Sequence, residues 1–170
     1  MWPDAGARDA LAAAAEALRR ACGGRAPPAR NLHLTLAFLG DVHAARLADL
    51  MDIAGGLAAA SFELTLDRIG YWRQHRLVWA GPQDCPAALQ ALAAELADAL
   101  QARGFDIERR RFLPHLTLLR DARRAPATTE LGPISWHVQR FALVCSRPAM
   151  PGVHYDIVSD WPLTGAPARL

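Results

Sequence analysis

The sequence predicts an α+β fold with antiparallel sheets, and three observations support that class. Segments with the apolar spacing of amphipathic helices are interleaved with segments that alternate apolar and polar residues, as half-buried strands do. Several predicted strands follow one another without an intervening helix, which antiparallel pairing allows and a parallel crossover does not. The sequence also lacks a glycine-rich phosphate loop and a dinucleotide-binding fingerprint.

Three helices are predicted, over residues 4–22, 47–57 and 86–103. Leu11 and Leu18 lie a heptad apart in the first helix, and the other two carry apolar residues at i, i+3, i+4 and i+7 spacing. Gly23 and Gly104 follow the first and third helices, where a residue able to adopt positive φ commonly ends a helix.

Alternation and β-branched or aromatic content predict six strands, over residues 32–39, 62–69, 76–80, 116–119, 135–145 and 155–158. The clearest alternation places Phe62, Leu64 and Leu66 on one face and polar residues on the other. The strand that follows it is its expected hairpin partner, across a turn at residues 71–75.

The composition excludes several classes of protein. The chain of 170 residues fits one domain, and 52% hydrophobic residues are enough for a core. No stretch approaches the roughly 20 apolar residues of a membrane span, and the N-terminus lacks the basic leader of a signal peptide. The three cysteines are scattered and form no Cys-x-x-Cys pair, which disfavours disulfides and structural zinc and favours a cytoplasmic location. A net charge of +2 excludes a polycation of the histone or ribosomal kind.

The most informative feature is a repeated tetrapeptide, His-Leu-Thr-Leu, at residues 33–36 and 115–118. Each copy lies in a predicted strand within a partly similar helix–strand context, which indicates a duplicated half. Residues i and i+2 of a strand share a face, so His33 and Thr35 point to one side, as do His115 and Thr117. The apolar residues between them are expected to point into a core: Leu32, Leu34, Leu36 and Phe38.

Two such strands that face each other about a pseudo-two-fold axis would line a cleft with two imidazoles and two hydroxyls. Histidine titrates near neutral pH, so one ring can be protonated while the other is neutral. Such a pair can hydrolyse a cyclic phosphodiester, because one ring activates water while the other protonates the departing ribose oxygen. Threonine hydroxyls can hold the non-bridging oxygens. These residues alone do not distinguish the acid from the base.

Three other interpretations of the histidines stay open. Each could be an ordinary, hydrogen-bonded strand histidine, or the two could form a structural pair within a core. They could also begin a metal site, although no histidine or carboxylate lies at ligand spacing beside either one. The remaining histidines lack a repeated context and are expected at the surface or in strands: His43, His75, His137 and His154.

Three segments carry a resemblance to a known family: Asn-Leu-His-Leu-Thr-Leu-Ala-Phe-Leu-Gly at 31–40, Arg-Leu-Val-Trp-Ala-Gly at 76–81 and Arg-Phe-Leu-Pro-His-Leu-Thr-Leu-Leu-Arg at 111–120. With them the chain resembles the two-histidine phosphoesterase superfamily, and specifically bacterial RNA 2′,3′-cyclic phosphodiesterases, historically called 2′-5′ RNA ligases. The resemblance implies a single bilobal domain over residues 1–170, with two pseudo-symmetric lobes of antiparallel sheet, helices on the outer faces and the active-site cleft between the lobes.

The resemblance also implies an activity, the hydrolysis of a terminal 2′,3′-cyclic phosphate to a 2′-phosphate without metal or cofactor. Under it His33 is the proton donor to the O3′ leaving group and His115 is the proton acceptor. Thr35 and Thr117 match phosphate-holding positions. Arg120 matches a phosphate-contacting arginine, but strand alternation puts it on the face opposite His115, so it reaches the cleft only if the strand ends or twists before it.

The resemblance implies a departure at the start of the chain. Family members usually carry a short apolar first strand before the position of Trp2, and that strand is expected to be missing before Met1. A missing strand would leave backbone groups unpaired and is expected to lower stability. Further basic and aromatic residues could guide an RNA backbone and stack a base: Phe105, Arg109, Arg110, Arg111, Phe112, Arg123 and Arg124.

The expected partners are RNA ends or small cyclic phosphate nucleotides, with no membrane, and the expected form is a monomer. The alternatives for function are a phosphodiesterase acting on small cyclic nucleotides, ADP-ribose cyclic phosphate or 2′-5′ oligoadenylate, or a non-catalytic module that binds RNA ends.

Overall fold

The structure is a computed structural model that describes residues 1–107, 111–149 and 152–164. Helices and strands are interleaved along the chain as predicted. The described helices are α1 (Ala5–Cys22), α2 (Leu47–Gly55) and α3 (Ala87–Ala102). The described strands are β1 (Phe62–Trp72), β2 (Leu77–Gly81), β3 (Leu116–Leu119), β4 (Glu130–Val138), β5 (Arg140–Pro148) and β6 (Val153–Pro162).

The strands form two sheets, one of four strands in the order β3-β2-β1-β4 and one of β5 with β6. Every strand pairing in these sheets is antiparallel, which confirms the predicted α+β class. The predicted hairpin is also confirmed, since β1 and β2 pair from Trp72–Leu77 to Arg68–Gly81. Its turn ends at Arg76, which adopts a left-handed conformation with φ of 48°.

Helix α1 covers one face of the four-stranded sheet through contacts with β3 and β4. Asp4 caps the start of the helix, since its carboxylate accepts the backbone N–H of Ala7, and Gly23, with φ of 70°, caps its end. Leu11 is fully buried, and Cys22 is nearly so. Fully buried leucines from the helices, the sheet and the segment before α2 also belong to the core: Leu34, Leu64, Leu66, Leu89, Leu92, Leu116 and Leu118.

The predicted strand over residues 135–145 is wrong in one respect, because it is two strands in two sheets. Val138 pairs with Phe62 of β1, whereas Arg140 pairs with Pro162 of β6. The chain therefore leaves one sheet and enters the other at Gln139. The last strand, β6, is longer than predicted.

The predicted strand over residues 32–39 is also wrong in extent, since its only strand-type pairing is an isolated bridge at Leu34. Leu32 and Leu34 are buried as expected, but Phe38 is 78% exposed. The alternation ends because the chain loses its strand partners after Leu34. Beyond that point Ala37 and Leu39 pack with α2 and α3 instead.

Candidate active site

The two His-Leu-Thr-Leu segments lie side by side in the structure. Leu34 forms an antiparallel bridge with Leu116, and these are equivalent residues of the two copies. On its other side Leu34 exchanges two backbone hydrogen bonds of 2.9 Å with Met1. The first copy therefore extends the four-stranded sheet beyond β3.

This bridge sets the order of the polar side chains. Antiparallel pairing of Leu34 with Leu116 makes His33 the neighbour of Thr117 and Thr35 the neighbour of His115. All four point to the face opposite the two buried leucines. The histidines are diagonal neighbours, a relation that places residues about 7–8 Å apart in a sheet.

Both imidazoles are held in the same way. Nδ1 of His33 bonds to the carbonyl oxygen of Asn31 at 2.7 Å, and Nδ1 of His115 bonds to that of Leu113 at 2.9 Å. A carbonyl oxygen only accepts, so each Nδ1 carries a hydrogen and donates it. In each ring Nε2 is then the nitrogen that is left to exchange a proton with a substrate.

Burial lowers the pKa of both imidazoles below their ordinary value of 6.5. The hydrogen bond to the carbonyl opposes this effect, because it favours the charged ring. The positive charge of Arg120 lowers the pKa of both rings further, and the N-terminal ammonium and His115 add to the lowering at His33. The two rings thus lie within electrostatic reach of Arg120, and His33 lies within reach of His115.

Arg120 reaches this side of the sheet because the alternation of β3 is interrupted. Thr117 pairs with Trp79, but Leu119 pairs with Val78, so two residues of β3 advance against one of β2. Leu118 and Leu119 are consequently both fully buried. An extra residue of this kind re-aims the side chains after it. Arg120 therefore returns to the side of His115, which strand alternation alone did not predict.

Aromatic rings surround both imidazoles. Trp2 and Tyr155 lie 5.4 and 4.7 Å from His33, measured between ring centroids. Trp72 lies 4.6 Å from His115, and its ring meets the imidazole at 67°. The sequence did not single these residues out, because their positions depend on which strands pair.

Two pockets open beside the histidines. One, of about 620 Å³, is lined by His33, Trp2 and Tyr155, and the other, of about 690 Å³, by His115 and Trp72. Residues 35–38 line both pockets. Arg111 and Phe112, expected near an RNA strand, line the second pocket.

The other residues expected to contact RNA have different surroundings. The face of the Phe105 ring is covered by the Arg46 guanidinium at 4.1 Å. The backbone N–H groups of Arg123 and Arg124 bond to the carbonyl of Cys22, at the end of α1. Arg109 and Arg110 lie outside the described residues.

The histidines without a repeated context are at the surface, as predicted: His43, His75, His137 and His154. In the described ranges no three residues among histidine, cysteine, aspartate and glutamate lie close enough together to hold a metal ion. Nor does any helix in those ranges have the length and apolarity needed to cross a membrane.

Comparisons with known proteins agree with the resemblance. A model of the 2′-5′ RNA ligase superfamily matches residues 7–147. An RNA 2′,3′-cyclic phosphodiesterase of Escherichia coli K12 is 40% identical over 143 residues, which cover 83% of this chain and 81% of that protein.

Solved structures extend the likeness to the fold. E. coli LigT complexed with 3′-AMP is 36% identical with a TM-score of 0.89, covering 96% of this chain and 94% of that one. The same protein complexed with NADP+ gives a TM-score of 0.84 at the same identity and coverage. Homologues of this chain are thus RNA 2′,3′-cyclic phosphodiesterases. The chain belongs to the 2′-5′ RNA ligase superfamily.

Proposed function

We propose that this protein hydrolyses the 2′,3′-cyclic phosphate at the end of an RNA to a 2′-phosphate, using His33 and His115 as an acid–base pair without a metal ion. One observation carries the proposal. The antiparallel bridge between Leu34 and Leu116 brings the two histidines to one face, each with its Nδ1 bonded to a carbonyl two residues earlier. Two Nε2 atoms can then address one phosphorus from different sides.

In the proposed reaction, His115 takes a proton from the attacking water and His33 gives a proton to the departing O3′. The bond from phosphorus to the water oxygen forms as the bond to O3′ breaks, and O2′ stays attached. The order of the two roles follows the resemblance. The unliganded site does not select it, because burial and the charge of Arg120 lower the pKa of both rings. A bound phosphodiester anion between the rings would favour the protonated form of both.

Thr35, Thr117 and Arg120 are proposed to hold the non-bridging phosphate oxygens. Thr35 is exposed beside His115, and Thr117 is half-buried beside His33. The guanidinium of Arg120 supplies a charge that the hydroxyls lack, and arginine suits planar contact with two oxygens. These groups would stabilise the transition state by position and charge, which is most of what phosphoryl transfer requires.

We propose that the chain acts as one monomeric domain of two pseudo-symmetric lobes, with the site in the cleft between them. The pairing of equivalent residues supports this arrangement, since an antiparallel bridge between Leu34 and Leu116 implies a local two-fold relation. The matching histidine hydrogen bonds extend the same relation to the side chains.

A second candidate substrate is a small nucleotide with a cyclic phosphate. The likeness to structures of LigT complexed with 3′-AMP and with NADP+ favours it, because both ligands are small nucleotides. A single assay compares the candidates: oligonucleotides and mononucleotides with 2′,3′-cyclic phosphate ends are incubated in chelator, and the position of the product phosphate is read by NMR.

We expect chelator-resistant hydrolysis of the RNA ends, with a 2′-phosphate as product. His33→Ala and His115→Ala should each lower the rate at least about 100-fold. Turnover of mononucleotides alone would favour the second candidate. Binding of RNA ends without any turnover would mean a binding module and would overturn the proposal.

A further inference from the structure

We infer that Trp79 is a positioning residue for His115, and that Gly70 and Gly81 let its indole lie where it can act. The inference rests on the role proposed above for His115. Trp79 and the two glycines would act through His115, without contacting the reacting atoms themselves.

Strand register places Trp79 on the side of the sheet that carries the histidines. Trp79 pairs with Gly70 in β1 and with Thr117 in β3, so all three positions share a face. His115 lies two residues before Thr117 and points the same way. Trp79 is nevertheless only 5% exposed, because its ring lies along the sheet rather than standing out from it.

The two glycines make this orientation possible. A Cβ atom on Gly70 would lie 2.0 Å from Cζ2 of Trp79, and one on Gly81 would lie 2.7 Å from Cζ3 of the same ring. The Gly81 position also faces the carbonyl oxygen of Pro114, at 2.9 Å, directly before His115. Any side chain at either position would displace the indole or the segment that leads to His115.

Backbone conformation does not explain these glycines. The described glycines with positive φ are Gly23, Gly24, Gly40, Gly104 and Gly152. Gly70 and Gly81 are not among them, so the backbone there is accessible to any L-residue. What the two positions require is the absence of a side chain, and the nearest atom that a Cβ would strike belongs in both cases to Trp79.

Packing, rather than a hydrogen bond, holds the indole. Within the described ranges, Nε1 of Trp79 has no hydrogen-bond partner. The guanidinium carbon of Arg68 lies 5.1 Å from the ring centroid, a cation–π contact that favours this placement of the ring. The orientation of the Trp79 indole therefore depends on the absence of side chains at Gly70 and Gly81.

Trp79 and Trp72 together restrict the His115 ring. Their centroids lie 6.4 and 4.6 Å from that of the imidazole, at angles of 68° and 67°, and 5.6 Å from each other. The hydrogen bond from Nδ1 to Leu113 fixes one edge of the imidazole, and the indoles limit its remaining rotation. They also displace water from the ring, which agrees with burial as the main cause of its lowered pKa.

The test compares Trp79→Leu, Trp79→Phe and the parent protein by NMR titration of the imidazoles and by steady-state kinetics. In Trp79→Leu the pKa of His115 should rise towards 6.5 while that of His33 stays within error of the parent. We expect kcat to fall about tenfold or more with little change in KM, since a shift of about 1 Å in a catalytic group can cost up to about 100-fold. Trp79→Phe should recover part of the lost kcat and part of the lowering of the His115 pKa.

Gly70→Ala should reproduce these effects or fail to fold, and Gly132→Ala is its matched control. Gly132 also lies in a strand, but nothing lies within 4 Å of its Cβ position. If Gly70→Ala does not fold, the double variant Gly70→Ala/Trp79→Leu removes the clash and should fold, with the kinetics of Trp79→Leu alone.

Parent-like kcat and parent-like titration of His115 in Trp79→Leu would overturn the inference. Equal shifts in both histidines would do so as well, because they would show a general loosening of the fold. The titration does not depend on turnover. If the parent protein hydrolyses nothing, the proposed function is wrong, but the titration still shows whether Trp79 positions His115.

Discussion

At the scale of single residues, the site depends on which nitrogen of each imidazole is free. Both Nδ1 atoms are committed to backbone carbonyls two residues earlier, so proton exchange falls to Nε2. Burial then lowers both pKa values, which keeps the rings neutral to a lower pH than usual. These two facts determine how activity should respond to pH and to mutation.

The profile of kcat/KM against pH should be a bell centred below pH 6.5. The reacting form carries one proton on the pair, and its population peaks midway between the two free-protein pKa values, both lowered from 6.5. Measurement in chelator at constant ionic strength gives the centre. A bell centred above pH 7, or a single rising limb, would contradict the lowered pKa values of the two histidines.

Replacing Arg120 by Gln should move that bell to higher pH, because the guanidinium charge lowers both pKa values. The change also removes a proposed phosphate contact. A charged hydrogen bond contributes about 1.5–3 kcal/mol, so kcat/KM should fall about 10–150-fold. Arg123→Gln is the matched control, since Arg123 lies against Gly23 at the end of α1. If the control shifted the bell equally, net charge rather than position would be the cause.

A substrate with a weakly basic leaving group separates the acid from the base. Nitrophenolate departs without a proton, so loss of the proton donor costs little on a nitrophenyl phosphodiester. His33→Ala should therefore lose much less activity on that substrate than on the cyclic phosphate, whereas His115→Ala should lose activity on both. The reverse pattern would exchange the two proposed roles.

At the scale of elements, alternation along a strand predicts what depends on local sequence. It placed each histidine with its threonine and put Leu34 and Leu116 in the core. It could not place Arg120, since the shift of register after Thr117 depends on how β3 pairs with β2. For the same reason it missed the break at Gln139, where the chain changes partner strands. Both features depend on which distant segments pair and in what register, and the periodicity of one segment does not determine that pairing.

The apolar side chains of the repeated motif should supply most of what the motif contributes to the stability of the protein. Leu116→Ala removes a fully buried side chain and should lower the free energy of unfolding by about 2–5 kcal/mol. Leu113→Ala, at a position 44% exposed in the same segment, should change it by no more than about 0.5 kcal/mol. Urea denaturation measures both. Equal losses would mean that the segment is not packed as described.

At the scale of the whole molecule, one face of the four-stranded sheet packs on α1 and the other carries the polar groups of the site. The Met1 amino group lies in the plane of this sheet, where it donates a hydrogen bond to the carbonyl of Leu34. Its environment links the stability of the fold to pH near the site.

A chain with a free amine at Met1 should lose stability as the pH falls from about 8 to about 5. Burial lowers the pKa of this amine from 8.0 to about 5, so between these values the unfolded state binds more protons than the folded state. The linkage amounts to roughly 4 kcal/mol at most. Melting temperatures across this range, with an N-terminally acetylated chain as control, measure it. Identical pH dependence in both chains would refute the assignment.

If His33 and His115 act as one acid–base pair, both must address the same phosphorus. A crystal structure with an RNA oligonucleotide ending in 2′-phosphate tests this most directly. We predict that oxygens of the one terminal phosphate lie within about 2.6–3.2 Å of Nε2 of both histidines. A phosphate bound to one imidazole and remote from the other would contradict it.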